Sequence, residues 1–329
     1  MQPPVIVAEI GASHCGSLER AQALVQAARE AGVTHVKFQT WDVMSVDRTP
    51  IQSGPWAGKS PAELYQECKL PWEWHERLFE QCRALKLTPF STPFDEQSVA
   101  FLETLKCPIY KIASFEITHL ELIRCAAATG KPIILSTGMA SEAEIEAAVA
   151  AASAAGAAGV TLLKCVSAYP ANPEDYNLEG MLDMAERFGC DVGLSDHTIG
   201  NSIAIAATVM GASLIEKHIN LPDRKGPDGA FASSPKALGR LVHGVRNAAL
   251  ALGKPVRYGA TVGESESRQF RRGIWITKDT PAGAELTRDN TAILRPAAEF
   301  APSAYPDLLG RSVTRACAAG TPVRAEILL

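Results

Sequence analysis

No apolar run in the chain approaches the ~20 residues that a bilayer-spanning helix needs. The opening "MQPPVIVAEIG" leads straight into a strand-like segment, without the basic stretch and cleavage site of an export signal. The expectation is a cytoplasmic protein with no membrane partner. Positive charge is not in surplus either: 32 Lys and Arg stand against 36 Asp and Glu, a net of -4. That balance argues against nucleic acid as the main partner, while permitting a local basic pocket for an anionic ligand. No Cys-x-x-Cys occurs, so neither a zinc knuckle nor a dithiol redox site is supported. The eight scattered cysteines read as reduced, mostly buried small hydrophobes. No Gly-x-Gly-x-x-Gly follows the first strand-like run, which removes the usual mark of a dinucleotide-binding sheet.

What is present is a long alternation. Short β-branched runs, "VIVAEIG" (5–11), "HVKFQT" (35–40), "TPFSTPF" (88–94) and "IYKIAS" (109–114), open the series. "PIILSTG" (132–138), "VTLLKCVS" (160–167), "DVGLSDHT" (191–198) and "LIEKHIN" (214–220) complete it. Amphipathic helix patterns lie between them, at 17–32, 71–86 and 141–156, and another follows at roughly 234–252. Ser17 and Gly32 stand where a helix starts and stops. Eight βα units in about 250 residues predict a (β/α)8 TIM barrel over residues 1–253, in preference to a doubly wound open sheet. The pattern breaks at a polar linker, 254–272. Four strand-like runs then follow, "IWITKD", "TAILRP", "SVTRACAAG" and "TPVRAEILL", predicting a small β-rich domain over 273–329. A core that small is expected to lean on a partner surface.

In a barrel of this kind the chemistry sits at the C-terminal ends of the strands. The polar residues there begin with Glu9, Lys37, Gln39, Thr92, Lys111 and Ser114. Ser136, Ser167, Ser195, His197, Glu216 and His218 follow from the later strands. Lys37 and Lys111 interrupt apolar strands, and a lone buried charge is costly. Either the two lysines and the hydroxyls await a phosphate or carboxylate, or the lysines pair internally with Glu9, Glu116 or Glu216. His197 and His218 end neighbouring strands, a placement that suits a divalent metal; each alone reads as an ordinary hydrogen-bonded strand end. "GPDGAF" (226–231) offers Asp228 to a polar ligand, or else forms a plain Gly/Pro turn capped by Asp228. In "AEIGASHCGS" (8–17), His14 beside Cys15 could be a catalytic pair, half of a metal site, or an accident of a strand end. His35, His75, His119 and His243 read as packing or surface residues, and Trp72 and Trp74 as helix-start packing.

"AEIGASHCGS", "KFQT", "FSTPFD", "YKIASFEI", "LSTGMA", "LLKCVSAYP", "GLSDHT" and "IEKHI", in this order, resemble the sialic acid synthase family. Its members condense phosphoenolpyruvate (PEP) with an amino sugar to make nine-carbon 2-keto acids. "SRQFRRGIWITKD" through "LLGR" to "AGTPV" resembles the antifreeze-like (SAF) domain that completes those enzymes. "SGPWAGKSPAELYQE", "KIASFEI", "SAYP" and "GPDGAFASSP" are similar to the branch that takes 2,4-diacetamido-2,4,6-trideoxy-L-altrose to pseudaminic acid.

The resemblance implies that Lys37, Thr92, Lys111, Ser114, Ser136, Ser167 and Ser195 hold PEP. It implies that His197 and His218 ligate Mn2+ or Mg2+, that Glu9 is an essential acid, and that Glu116, Tyr169 and Asp228 contact the sugar. Arg295 would reach the sugar in the partner's barrel of a domain-swapped homodimer. On this reading Glu9 carries the chemistry of the first stretch, and His14 shapes the loop. The chain departs from the family at Ser13 and Cys15, where "NHNG" is commoner, and after Arg295, where "PAAEFAP" replaces a glycine-containing loop. The rival readings are a synthase of N-acetylneuraminate or legionaminate, a metal-dependent barrel aldolase that does not use PEP, and a non-catalytic sugar-binding protein.

Overall fold

The computed structural model describes residues 2–54, 56–253 and 258–329. The chain divides into two compact units, Met1–Gly253 and Lys254–Leu329. In the first, β1 (Val5–Glu9), β2 (His35–Thr40), β3 (Thr88–Pro93) and β4 (Tyr110–Ile112) are followed by β5 (Ile133–Ser136), β6 (Val160–Cys165), β7 (Asp191–Asp196) and β8 (Leu214–His218). All eight are parallel, and β1 pairs with β8, so the sheet closes into a barrel. Helices α1 (Leu18–Ala31), α2 (Pro61–Cys68), α3 (Trp72–Ala84), α4 (Glu96–Thr104) and α5 (Leu120–Ala127) cover its first half. α6 (Glu142–Ala154), α7 (Gly180–Phe188), α8 (Ser202–Val209) and α9 (Pro235–Ala251) cover the second.

Local chemistry places these ends. Ser17 caps α1 by accepting the Arg20 N–H, and Gly32, at φ 87°, stops it in a left-handed conformation that glycine adopts without strain. Ser60 and Ser141 build reciprocal capping boxes with Glu63 and Glu144. Apolar residues fill the space between barrel and helices, as where Phe38 on β2 stacks on Phe79 of α3 with centroids 5.8 Å apart. Among the described residues no helix is long and apolar enough to cross a membrane.

In the second unit β9 (Gly273–Ile276) and β10 (Thr291–Leu294) form an antiparallel pair, and α10 (Tyr305–Leu308) is one short turn. The runs at 312–320 and 321–329 were expected as strands and are not: they make only isolated bridges, such as Val313 to Leu328 and Trp275 to Pro322. Gly320, at φ 88°, and the turn into Pro322 break the ladder before it can extend. A small core around Ile274, Ile276, Leu286, Val313, Val323 and Ile327 holds the unit together. In the expected linker, residues 254–257 lie outside the described residues, while Val262–Glu264 and Glu266–Phe270 wind into 3-10 turns.

Candidate active site

Side chains alternate across a strand, and at the C-terminal end of the barrel the inward positions are polar. The register sets Glu9 opposite both Lys37 and His218, Gln39 opposite Thr92, and Ser195 opposite Glu216. Lys37 Nζ lies 2.9 Å from Glu9 Oε2 and 3.4 Å from Glu216 Oε1, and donates to Thr92 Oγ1 at 3.1 Å. Lys111 Nζ lies 3.2 Å from Glu216 Oε2, and Gln39 donates to Glu9 Oε1 at 2.6 Å. All four charged groups are buried. The lysines therefore face the mouth and also pair internally, with Glu9 and Glu216.

The two lysines differ in proton affinity. Burial opposes charge on Lys37, but the carboxylates of Glu216 and Glu9 outweigh it and raise its pKa. At Lys111, which shares Glu216 and feels Lys37, burial wins and the pKa falls. Glu216 is held below the usual carboxylate range: burial would raise it, and the two lysines override that.

Beside this cluster the His197 and His218 rings meet edge to face with centroids 5.4 Å apart. His197 donates through Nδ1 to the Val166 carbonyl at 2.8 Å, which leaves Nε2 as its lone-pair nitrogen. His218 donates through Nδ1 to Asp228 Oδ2 at 3.0 Å, with the same result. That carboxylate oxygen also accepts the Ala12 N–H at 3.0 Å, so Asp228 orients an imidazole and does not cap a helix. Gly11 makes the approach possible, since a Cβ there would fall 2.3 Å from Asp228 Oδ2. Two imidazoles with Nδ1 engaged and Nε2 bare suit a divalent ion. Among the described residues no group of three His, Cys, Asp or Glu could hold one alone, so substrate and water would complete the coordination.

The hydroxyls gather on the next strands. Ser114 Oγ accepts the Gly138 N–H at 3.1 Å, and a Cβ on Gly138 would fall 2.4 Å from Ser167 Oγ. Glycine is required for so close an approach. Ser136 Oγ is buried without a partner among the described residues. These groups form a cradle of donors suited to an oxyanion.

Beside His218 and Asp228, which help to line it, is a cavity of about 170 Å³. Aromatic rings make up much of its wall, among them Trp41, Trp56, Tyr65, Phe94, Tyr169 and Phe231. Tyr169 lies against His197, Trp56 and Phe231, with centroids 4.5, 5.4 and 5.1 Å away. Gln39, Glu116, His218 and Asp228 supply the polar points. Burial pushes the Glu116 carboxyl up to about 7, and its Oε2 has no partner among the described residues. A groove of about 660 Å³ near Cys15 and Trp72 is larger but holds none of these groups.

His14 is no part of the cluster. It accepts the Gly16 N–H on Nδ1 and donates through Nε2 to the Cys68 carbonyl, tying the loop after β1 to the end of α2. His75 is buried on α3 against Thr40, and His119 caps α5. Arg295 lies on an exposed segment after β10, in the second unit. The reading from sequence missed the aromatic wall. Its one signal was length: residues 41–60 join β2 to α2 by a stretch too long for an ordinary βα loop, and rich in Trp.

Residues 24–257 match the NeuB family, and residues 271–329 match the SAF domain. A pseudaminic acid synthase of Helicobacter pylori is 41% identical over 333 residues, covering 99% of this chain and 98% of that one. An N,N'-diacetyllegionaminic acid synthase of Campylobacter jejuni is 33% identical, covering 96% and 97%. The crystal structure of an N-acetylneuraminic acid synthetase from Leptospira borgpetersenii is 30% identical, with a TM-score of 0.72, over 81% of this chain and 90% of that one. By sequence and by fold, the chain belongs to the NeuB family.

Proposed function

We propose that this chain is a transferase that condenses PEP with 2,4-diacetamido-2,4,6-trideoxy-L-altrose to give pseudaminic acid and inorganic phosphate. One observation carries the reading: an aromatic-rich cavity is lined by His218 and by Gln39, and Gln39 is bonded to the same Glu9 that pairs with Lys37 of the lysine cluster. A sugar with a methyl at C6 and two acetamido groups suits such walls. A hydroxymethyl group would ask the same walls for hydrogen bonds, at a cost if unmet.

Lys37, Lys111, Thr92, Ser114, Ser136, Ser167 and Ser195 hold the phosphate and carboxylate of PEP, and fix its C3 toward the sugar aldehyde. His197 and His218 would hold a divalent ion, Mn2+ or Mg2+, which when bound would supply Lewis-acid polarisation of an aldehyde oxygen. C3 of PEP bonds to the aldehyde carbon, whose oxygen takes a proton and becomes a hydroxyl. Positive character at C2 is met by water. Glu9, fixed by Gln39 and Lys37, orients that water and accepts its proton. The bond from C2 to the phosphate oxygen then breaks, leaving the 2-keto acid. Glu116, Tyr169 and Asp228 line the sugar's side of the site.

The functional unit is a homodimer in which the partner's Arg295 approaches the sugar. An apolar rim supports it: Val43, Val46, Phe115, Met139 and Ile199 are all exposed on loops at the C-terminal end of the barrel. Sedimentation as a monomer would count against it. The reaction belongs in the cytoplasm, where PEP is made. Phosphate release from PEP tests the function, with a panel of amino sugars and with or without EDTA and Mn2+. The altrose derivative should support release, and metal removal should abolish it. Release with N-acetylmannosamine alone would move the chain to the sialic branch, and no release with any sugar would sink the proposal.

A further inference from the structure

We infer that the buried Asp196–Lys217 pair, on the outer face of the barrel, sets the spacing of the His197 and His218 imidazoles on its inner face. The inference rests on the proposal that those imidazoles hold a divalent ion.

The argument begins with strand parity. Asp196 precedes His197 and Lys217 precedes His218, so each charged side chain lies directly behind an imidazole. The β7/β8 ladder runs to Asp196 opposite Lys217, and the two imidazoles come one residue later, where the main-chain pairing has ended. Side chains take over at that point. Lys217 Nζ donates to Asp196 Oδ2 at 2.6 Å and to the Thr198 carbonyl at 2.8 Å. Asp196 Oδ1 accepts both the Thr198 N–H at 2.8 Å and the Thr198 hydroxyl at 2.7 Å. One lysine of β8 thus grips β7 on both sides of His197.

The β7 end is held on its other side too: the Tyr176 hydroxyl accepts the His197 N–H at 2.8 Å and donates to the Ser195 carbonyl at 3.1 Å. Tyr176 follows β6, though, and says nothing about where β8 lies. The ion pair is what couples the two ligand-bearing ends. Its side chains are 1% and 0% exposed. Two charges taken so far out of water gain little stability over a well-packed apolar pair, and the best attested use of such a pair is to fix register. Here the register fixed is that of two donors to one ion.

The test uses the full chain with Asp196→Asn and Lys217→Met together, which removes both charges and orphans neither. Mn2+ alone is titrated, with free ion read by electron paramagnetic resonance, and the melting temperature is recorded. Mn2+ affinity should fall roughly 10–100-fold, the range for lost partners of metal ligands, and the visible bands of bound Co2+ should shift. A merely structural pair would lower the melting temperature yet leave Mn2+ affinity and the Co2+ bands of the folded protein at wild-type values, and that result overturns the inference. If the double variant does not fold, Asp196→Glu decides, because it keeps both charges and lengthens the link between the two strand ends by one methylene. A weaker Mn2+ site supports the inference, and an unchanged one overturns it. Wild-type protein that binds no Mn2+ would overturn the metal proposal and this inference with it, whereas binding lost only in His218→Ala and kept in the pair variants overturns the inference alone.

Discussion

Two buried clusters of charge occupy opposite faces of the same barrel and meet only in β8, and they are finished to different degrees. On the outer face every carboxylate oxygen of Asp196 has a donor, and Lys217 has two acceptors. On the inner face Glu9 Oε2 lies 2.9 Å from Lys37 without the alignment of a hydrogen bond, and Ser136 Oγ, like Glu116 Oε2 on the turn after β4, has no partner among the described residues. Native interiors leave few such atoms unpaired, and each one asks for an explanation. The contrast separates structure from site: a satisfied cluster holds the chain, and a cluster with polar atoms to spare is shaped to hold something else.

The largest effect that can break this comparison is on stability. Lys217→Met leaves Asp196 buried and uncompensated, which costs about 3–5 kcal/mol. Lys111→Met should cost clearly less, because Glu216 keeps Lys37 at 3.4 Å. Urea unfolding of both variants checks it, and equal losses would mean that the inner cluster is as structural as the outer one. Function should reverse the order. Lys111→Met removes a preorganised cation from the proposed PEP cradle, so kcat/KM for PEP should fall about 10²–10³-fold. Lys217→Met, assayed folded at saturating Mn2+, should keep its KM for PEP. A rise in that KM to match Lys111→Met would erase the distinction.

How much of this contrast was legible beforehand depends on periodicity. The eight strands could be read because β-branched runs alternate with capped amphipathic helices, with Ser17 and Gly32 marking ends that the folded chain uses. Strand-end position alone singled out both lysines and both histidines. Their partners could not be read in the same way. Glu9, Glu116 and Glu216 were equal candidates to pair with the lysines, and only closure of β1 onto β8 brings Glu9 and Glu216 to Lys37. The bond from Asp228 to His218 depends on a loop that folds back over ten residues, and loop paths have no periodicity to betray them. The aromatic wall was hidden likewise. In the second unit strand-like composition overstated the sheet, because β propensity describes a half-buried surface and a short run can satisfy it without a ladder.

A smaller effect sharpens the inner face further. Burial raises the Glu116 carboxyl from 4.5 to about 7, so the folded chain prefers its protonated form. The stability tied to that proton is complete below about pH 4.5, is lost as pH rises through about 7, and changes no further above it. Glu116→Gln, neutral at every pH, should therefore gain in melting temperature over wild type at pH 8 and not at pH 4. As an acid, Glu116 can also donate to the sugar, so the wild-type sugar KM should climb across pH 7, and the Gln variant should flatten that climb. A wild-type KM that stays level from pH 6 to 8 would remove Glu116 from the sugar contacts.

The smallest effect concerns Cys15, which with Ser13 is where the first loop was expected to depart from the family pattern. Its thiol sits beside a histidine, yet the imidazole of His14 is spent on Gly16 and Cys68 and offers no base to it. Burial pushes the thiol up, ahead of the opposing pull of Arg20, so a thiolate is disfavoured. Its thiol makes a weak donation to the Ser13 carbonyl at 3.5 Å and lies beside Arg20. A serine hydroxyl can make that same donation from the same backbone. Cys15→Ser should accordingly keep kcat/KM within about twofold, the range of a neutral surface substitution. A tenfold loss in a protein that melts like wild type would put the thiol into the chemistry, and would extend the unfinished inner face outward along the loop after β1.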